Sequence, residues 1–134
     1  MTHYIDAAIQ DDAQPSHCVA TENDTANSDA ITFEDLKLNK PILKALTKSG
    51  YTNPTPIQAG AIPHALDGRD LLLSAQTGSG KTAAFVLPIL DKLSREERLE
   101  KHIYALILTP TRELAQQVHD SVRGYGANVR GLYS

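Results

Sequence analysis

The sequence has a single cysteine, Cys18, so an internal disulfide is impossible and a cysteine-based zinc site is excluded. No run approaches the ~18 consecutive apolar residues that a membrane-spanning helix needs. The N-terminus also lacks the basic start and apolar core of a secretion signal, so the chain is expected to be cytoplasmic with no membrane partner. No internal repeat is present. Lys and Arg are missing altogether from residues 1–30, which instead carry Asp6, Asp11, Asp12, Glu22, Asp24 and Asp29. This segment has no sustained apolar periodicity and is rich in Asp, Asn, Thr, Ser and Ala. It cannot bury enough apolar surface to offset its ordering entropy, and it is expected to be a disordered acidic tail. A mimic of nucleic acid is the functional alternative for such an arm.

The chain of 134 residues, 41% hydrophobic and 22% charged, allows one domain at most. Its net charge of −3 conceals a mildly basic remainder, since residues 31–134 hold all 13 Lys and Arg against ten acids. The expected folded unit is therefore 31–134.

Within it, Ala75-Gln76-Thr77-Gly78-Ser79-Gly80-Lys81-Thr82 has the spacing of a phosphate-binding loop. Gly78 and Gly80 can take positive φ and let successive N–H groups converge on phosphate oxygens. A helix opening at Lys81 adds unsatisfied N–H groups and a partial positive charge. Lys81 would reach the terminal phosphates and the Thr82 hydroxyl would ligate Mg²⁺, which makes these two the candidate catalytic residues. The flanks agree with the motif. Asp70 to Ser74 reads as a short buried strand, and Thr82 to Leu93 as a helix with Phe85, Val86, Ile89, Leu90 and Leu93 on its apolar side and Pro88 as a kink. Gly78 to Ala83 also satisfies the dinucleotide fingerprint, but that fold needs a ribose-binding carboxylate after the next strand. The next apolar run, Ile103 to Thr109, ends in Leu108-Thr109-Pro110. Glu97 and Glu100 precede it, in a charge run from Ser94 to Lys101 that suits solvent. A glycine-rich turn with no ligand is the bland alternative.

Upstream, Asn39 and Pro41 mark a helix start, and Gly50 marks its end. The following Tyr51-Thr52-Asn53-Pro54-Thr55-Pro56-Ile57-Gln58 is stiffened by two prolines. Thr55 and Gln58 are spaced as a capping box, although the Gln58 carboxamide also suits an adenine edge. Spacing favours the cap. Downstream, Ile103 to Thr109 reads as a second buried parallel strand that completes a βαβ unit. Thr111 then caps a helix whose Leu114, Val118, Val122 and Tyr125 share one face. Its N-terminus and Arg112 suit a nucleic-acid phosphate, or equally a surface ion pair.

Together these motifs resemble the DEAD-box ATP-dependent RNA helicases, from Phe33 to the last residue. Gly50 to Gln58 is similar to the family's adenine-sensing Q motif, Ala75 to Thr82 to its motif I, and Pro110 to Ala115 to its motif Ia. The resemblance implies an α/β fold, a partial RecA-like P-loop NTPase domain with a parallel sheet and flanking helices. It implies ATP and Mg²⁺ as cofactors, with Phe33 stacking on adenine, Tyr51 in the same segment and Gln58 reading the base. Thr55 would brace the phosphate loop formed by Ala75, Gln76, Thr77, Gly78, Ser79, Gly80, Lys81 and Thr82. Pro110, Thr111, Arg112 and Glu113 would meet the RNA backbone. The resemblance moves Gln58 from cap toward adenine contact.

The sequence contains no Asp-Glu-Ala-Asp run, which would supply the metal-shell carboxylate and the residue that orients the attacking water. Phosphoryl transfer depends almost wholly on such positioning groups. The expectation is that these residues alone do not hydrolyse ATP significantly, and that a two-stranded parallel sheet leaves unpaired edges. The readings carried forward are part of a helicase, a binding module without turnover, and a fragment that pairs a sheet edge with another chain.

Overall fold

The computed structural model describes residues 3–4, 18–20, 31–95 and 102–134. Element order is β1 (His3–Tyr4), β2 (Cys18–Ala20), α1 (Lys40–Lys48), α2 (Pro56–Leu66), β3 (Leu71–Leu73), α3 (Lys81–Arg95) and α4 (Arg112–Tyr125).

Local chemistry explains where the helices begin and end. Asn39 is extended, its side chain accepts from Lys40 N–H at 2.9 Å, and Pro41 occupies the first turn of α1. The helix closes at Ser49, Gly50 takes φ +79°, and Tyr51 N–H donates back to Leu46 O at 2.9 Å. That left-handed residue turns the chain toward α2. Thr111 Oγ1 accepts from Leu114 N–H at 3.2 Å and caps α4 as expected.

α3 is the central element. Its Val86, Leu87 and Leu90 join Ile42 and Leu46 of α1, Ile62 of α2, Val118 of α4, and Phe33, Leu36 and Leu38 from the segment before α1. A second cluster packs Ile57 and Ala61 of α2 and Ala84 of α3 onto Leu73 of β3. Covered from several sides, α3 buries a broader face than the expected stripe: Ala83, Ala84, Leu87 and Pro88 are buried as well, while Phe85, Ile89 and Leu93 are only half-buried. The helix continues through Pro88 to Arg95.

Two expectations are corrected. The sheet is mixed rather than parallel: β1 pairs antiparallel with β3, His3 opposite Leu73, and β2 pairs parallel, Cys18 opposite Leu71. Apart from these two short strands, the acidic segment expected to be disordered lies outside the described residues, as does 96–101 of the charge run. Residues 103–109 do not form the expected strand and complete no βαβ unit. Ile103, Leu106 and Leu108 are 87%, 77% and 79% exposed. Both edges of β3 are already paired, so an apolar run that needs strand neighbours finds none there. It borders a cleft of about 1310 Å³ with Ile89 and Leu93 of α3 and Val122 of α4, which is why those side chains stay partly open.

Asp91 is the one buried carboxylate among the described residues, at 2% exposure. Its carboxylate accepts from Asn39 N–H at 2.5 Å and from Arg95 Nε at 2.6 Å, and Arg95 Nη2 also donates to Lys37 O at 3.1 Å. Hydrogen bonding and charge from Asp91 raise the Arg95 pKa further. Lys37, at φ +59°, is the only described non-glycine residue in the left-handed region. The cluster ties the segment carrying Phe33 to the far end of α3.

Candidate functional site

The phosphate loop has the backbone that its glycines permit. Gly78 and Gly80 adopt φ +84° and +93° between β3 and α3. Gln76, Thr77 and Gly78 are exposed, and Ala75, Ser79, Gly80, Lys81 and Thr82 are half-buried. Lys81 Nζ donates to Ala75 O and, at 2.7 Å, to Gln76 O, so its ammonium lies across its own loop. Ser79 Oγ is buried with no hydrogen-bond partner. A buried hydroxyl left unpaired costs about 1–3 kcal/mol, and a ligand that accepted from it would recover that cost.

Gln58 joins the loop to α2. It is 7% exposed; its Oε1 accepts from Thr55 N–H at 3.0 Å, and its Nε2 donates to Gly80 O at 3.2 Å. The capping bond is present, and one carboxamide serves the helix with its oxygen and the phosphate loop with its nitrogen. The hydroxyl side of the capping box is looser: Thr55 Oγ1 is buried without a partner of ordinary geometry. It stands against Gly80, where an added Cβ would come within 3.0 Å of it and would collide with Gln58 Nε2. Glycine at 80 is needed for its φ and for this close approach.

Thr55, Gln58 and Ala75 to Thr82 are thus brought together. Phe33 is not an exposed platform. It is 4% exposed within the core, and its N–H donates to Thr52 O at 3.4 Å. Tyr51 is half exposed and meets Tyr125 edge to face, with centroids 6.0 Å apart. Burial, then the charge and hydrogen bond of Tyr51, push the Tyr125 phenol up to about 12. The sequence offered Tyr125 only as an apolar position on α4, and nothing in its spacing marks Tyr51 as its partner.

The α4 N-terminus is a separate region whose polar contacts are local. Thr109 Oγ1 donates to Thr111 O at 3.1 Å, and Pro110, Thr111, Arg112 and Glu113 are all exposed. Among the described residues no group of His, Cys, Asp and Glu is arranged to hold a metal, and no helix is long and apolar enough to cross a membrane. Thr82, half-buried, stands in the first turn of α3 beside Lys81.

A glycine-bearing loop between a strand and a helix, tethered by a glutamine from the preceding helix, has the form of a P-loop. The family model described as DEAD/DEAH box helicase matches residues 55–133, and the chain belongs to that family. It is 54% identical over 101 residues to the ATP-dependent RNA helicase DBP9 of Ajellomyces capsulatus, covering 73% of this chain and 16% of the relative. It is 52% identical over 101 residues to the ATP-dependent RNA helicase DeaD of Escherichia coli, covering 75% and 16%. The crystal structure of the RNA helicase Prp28 from Chaetomium thermophilum bound to ADP aligns with a TM-score of 0.67 at 47% identity, over 73% of this chain and 24% of that one. The fold is accordingly RecA-like. The chain spans about a sixth of the length of these curated relatives.

Proposed function

We propose that residues 31–134 form the nucleotide-binding part of the first RecA-like domain of an ATP-dependent RNA helicase, following an acidic segment at 1–30. The observation that carries this is the Gln58 bridge, which sets a base-reading carboxamide 3.2 Å from the phosphate-loop carbonyl of Gly80. ATP fits the residues present. Ser79 and Thr55 offer unpartnered hydroxyls at the loop, and Lys81 can exchange carbonyl partners for phosphate oxygens. Thr82 would hold Mg²⁺, which screens phosphate charge. Gln58, with Tyr51 nearby, reads the adenine edge, and a stacking role for Phe33 requires its segment to shift out of the core. Pro110, Thr111, Arg112 and Glu113 meet the RNA backbone through phosphate contacts that carry no base identity. In the full-length enzyme these groups couple ATP hydrolysis to local unwinding of RNA duplexes in the cytoplasm.

A second reading is a nucleotide- or RNA-binding module without turnover. The two differ in hydrolysis, not in binding. The test is titration with Mg·ATP and Mg·GTP beside Lys81→Ala and Gln58→Ala, following binding and thermal stability. The expected result is saturable, ATP-selective binding that Lys81→Ala abolishes and Gln58→Ala makes indifferent to the base, with no measurable turnover by these residues alone. Folded protein that binds neither nucleotide would refute the assignment.

A further inference from the structure

The Tyr51–Tyr125 contact joins two regions that the nucleotide and RNA roles leave separate. Tyr51 begins the segment that ends in Gln58. Its backbone is fixed by the bond to Leu46 O, and Thr52 O next to it accepts from Phe33 N–H. The half-exposed Tyr51 side chain rests on Tyr125, with ring planes at 64°. Tyr125 is the last residue of α4, and Gly126 after it fits so tightly that a Cβ would press on Val122 O, Leu132 and Leu90. The other end of α4, about 20 Å away at 1.5 Å per residue, carries Thr111 and Arg112. Val118 between them is buried against the α3 cluster, so the helix is seated as one rod.

We propose that Tyr125 is a positioning residue for the adenine-recognition segment, and that it makes base discrimination at Gln58 depend on how α4 is seated. This rests on the ATP-binding reading above. RNA phosphate engaged at the Thr111–Arg112 end biases the seating of α4, and Tyr125 passes that bias to Tyr51 and the stiff Pro54–Pro56 stretch. Linkage then requires ATP to alter RNA affinity by the same factor. The link is an edge-to-face ring contact rather than an ion pair, so it is not itself screened by salt.

The test measures affinities for ATP, GTP and inorganic tripolyphosphate, with and without a short uridine oligonucleotide, for the unsubstituted chain, Tyr125→Phe and Tyr125→Ala. Edge-to-face aromatic pairs support an expected loss of ATP-over-GTP selectivity of about 2- to 12-fold in Tyr125→Ala. Tripolyphosphate affinity is expected to stay unchanged and Tyr125→Phe, which keeps the ring contact and loses the hydrogen bond to Tyr51, to retain most of the selectivity of the unsubstituted chain. RNA is expected to change ATP affinity in the latter two and not in Tyr125→Ala. A merely structural role would weaken all three ligands together and overturn the proposal. Tyr125→Ala that keeps full selectivity and RNA linkage overturns it, as does ATP affinity indifferent to RNA in the unsubstituted chain. Were the ATP-binding reading itself wrong, Lys81→Ala and Gln58→Ala would leave nucleotide binding untouched, a distinguishable result.

Discussion

Replacing Asp91 by Ala is expected to be among the most damaging single changes outside the apolar core, even though Asp91 lies far along α3 from the phosphate loop. The carboxylate is 2% exposed and receives Asn39 N–H at 2.5 Å and Arg95 Nε at 2.6 Å. The two donors do not count equally. Arg95 is 54% exposed, so water replaces its partner readily and its share is that of a surface pair, about 0.2–1 kcal/mol. The Asn39 N–H is part-buried at the start of α1, and a hydrogen bond from it to a charged acceptor is worth about 1.5–3 kcal/mol. Together they give a loss on the order of 2–4 kcal/mol, against a total stability of about 5–15 kcal/mol for a domain. At about 4–8 °C per kcal/mol, Tm should fall by on the order of 10–30 °C. Thermal and urea unfolding would check this, the urea midpoint moving while the slope stays constant. Asp91→Asn, whose Oδ1 can still accept from Asn39, should retain more than half of the lost stability, and Arg95→Ala should cost about 1 kcal/mol. Asp91→Ala within about 0.5 kcal/mol of the unsubstituted chain, or Arg95→Ala as costly as Asp91→Ala, would refute the assignment of most of the energy to the Asn39 bond.

Three further outcomes are expected. Gly126→Ala should destabilise by about 1–3 kcal/mol, because its Cβ meets the Val122 carbonyl as well as the movable Leu132 and Leu90 side chains; chemical denaturation measures it. Alkaline stability should fall as pH rises from about 10 through about 12. The Tyr125 pKa is raised on folding, so its contribution is complete below the unfolded value and is lost as the folded value is passed; a pH series of melts should show this loss shrink in Tyr125→Phe. Leu106→Lys should change stability by less than about 0.5 kcal/mol, since the side chain is 77% exposed. It should reduce concentration-dependent light scattering, because Ile103 to Leu108 is an uncharged, β-prone run without Pro or Gly.

The phosphate loop, the Asn39 and Thr111 caps and the Gly50 turn were legible because each depends on a few adjacent residues whose chemistry is local. Residues 103–109 were misread for the opposite reason. Their composition specifies a strand buried on both sides, but a strand exists only with neighbours to pair with, and residues 103–109 join neither edge of the β1-β3-β2 sheet. The stacking role of Phe33 was implied by the family resemblance, which carries no information about the leucines at 36 and 38 that share its buried cluster. Asp91 was invisible because its partner Asn39 is 52 residues away. A lone acid on an apolar helix face was the only available signal.

The way the site satisfies itself divides affinity from selectivity. Lys81 is bonded to two neutral carbonyls of its own loop, and Gln58 to Thr55 N–H and Gly80 O. On the proposed function, a phosphate would replace the carbonyls at Lys81 with charged acceptors, and such bonds are roughly twice as strong as neutral ones. It would also give partners to the buried hydroxyls of Ser79 and Thr55. Adenine would offer Gln58 no such surplus. Each bond it made there would replace one of similar strength, so the net gain would be at most about 1 kcal/mol, while a base with the reversed pattern of donors and acceptors would leave the carboxamide mismatched. Affinity should therefore reside in the triphosphate and selectivity in Gln58. On the same physics, Gln58→Ala alters the ratio of ATP to GTP binding far more than it alters the binding of tripolyphosphate.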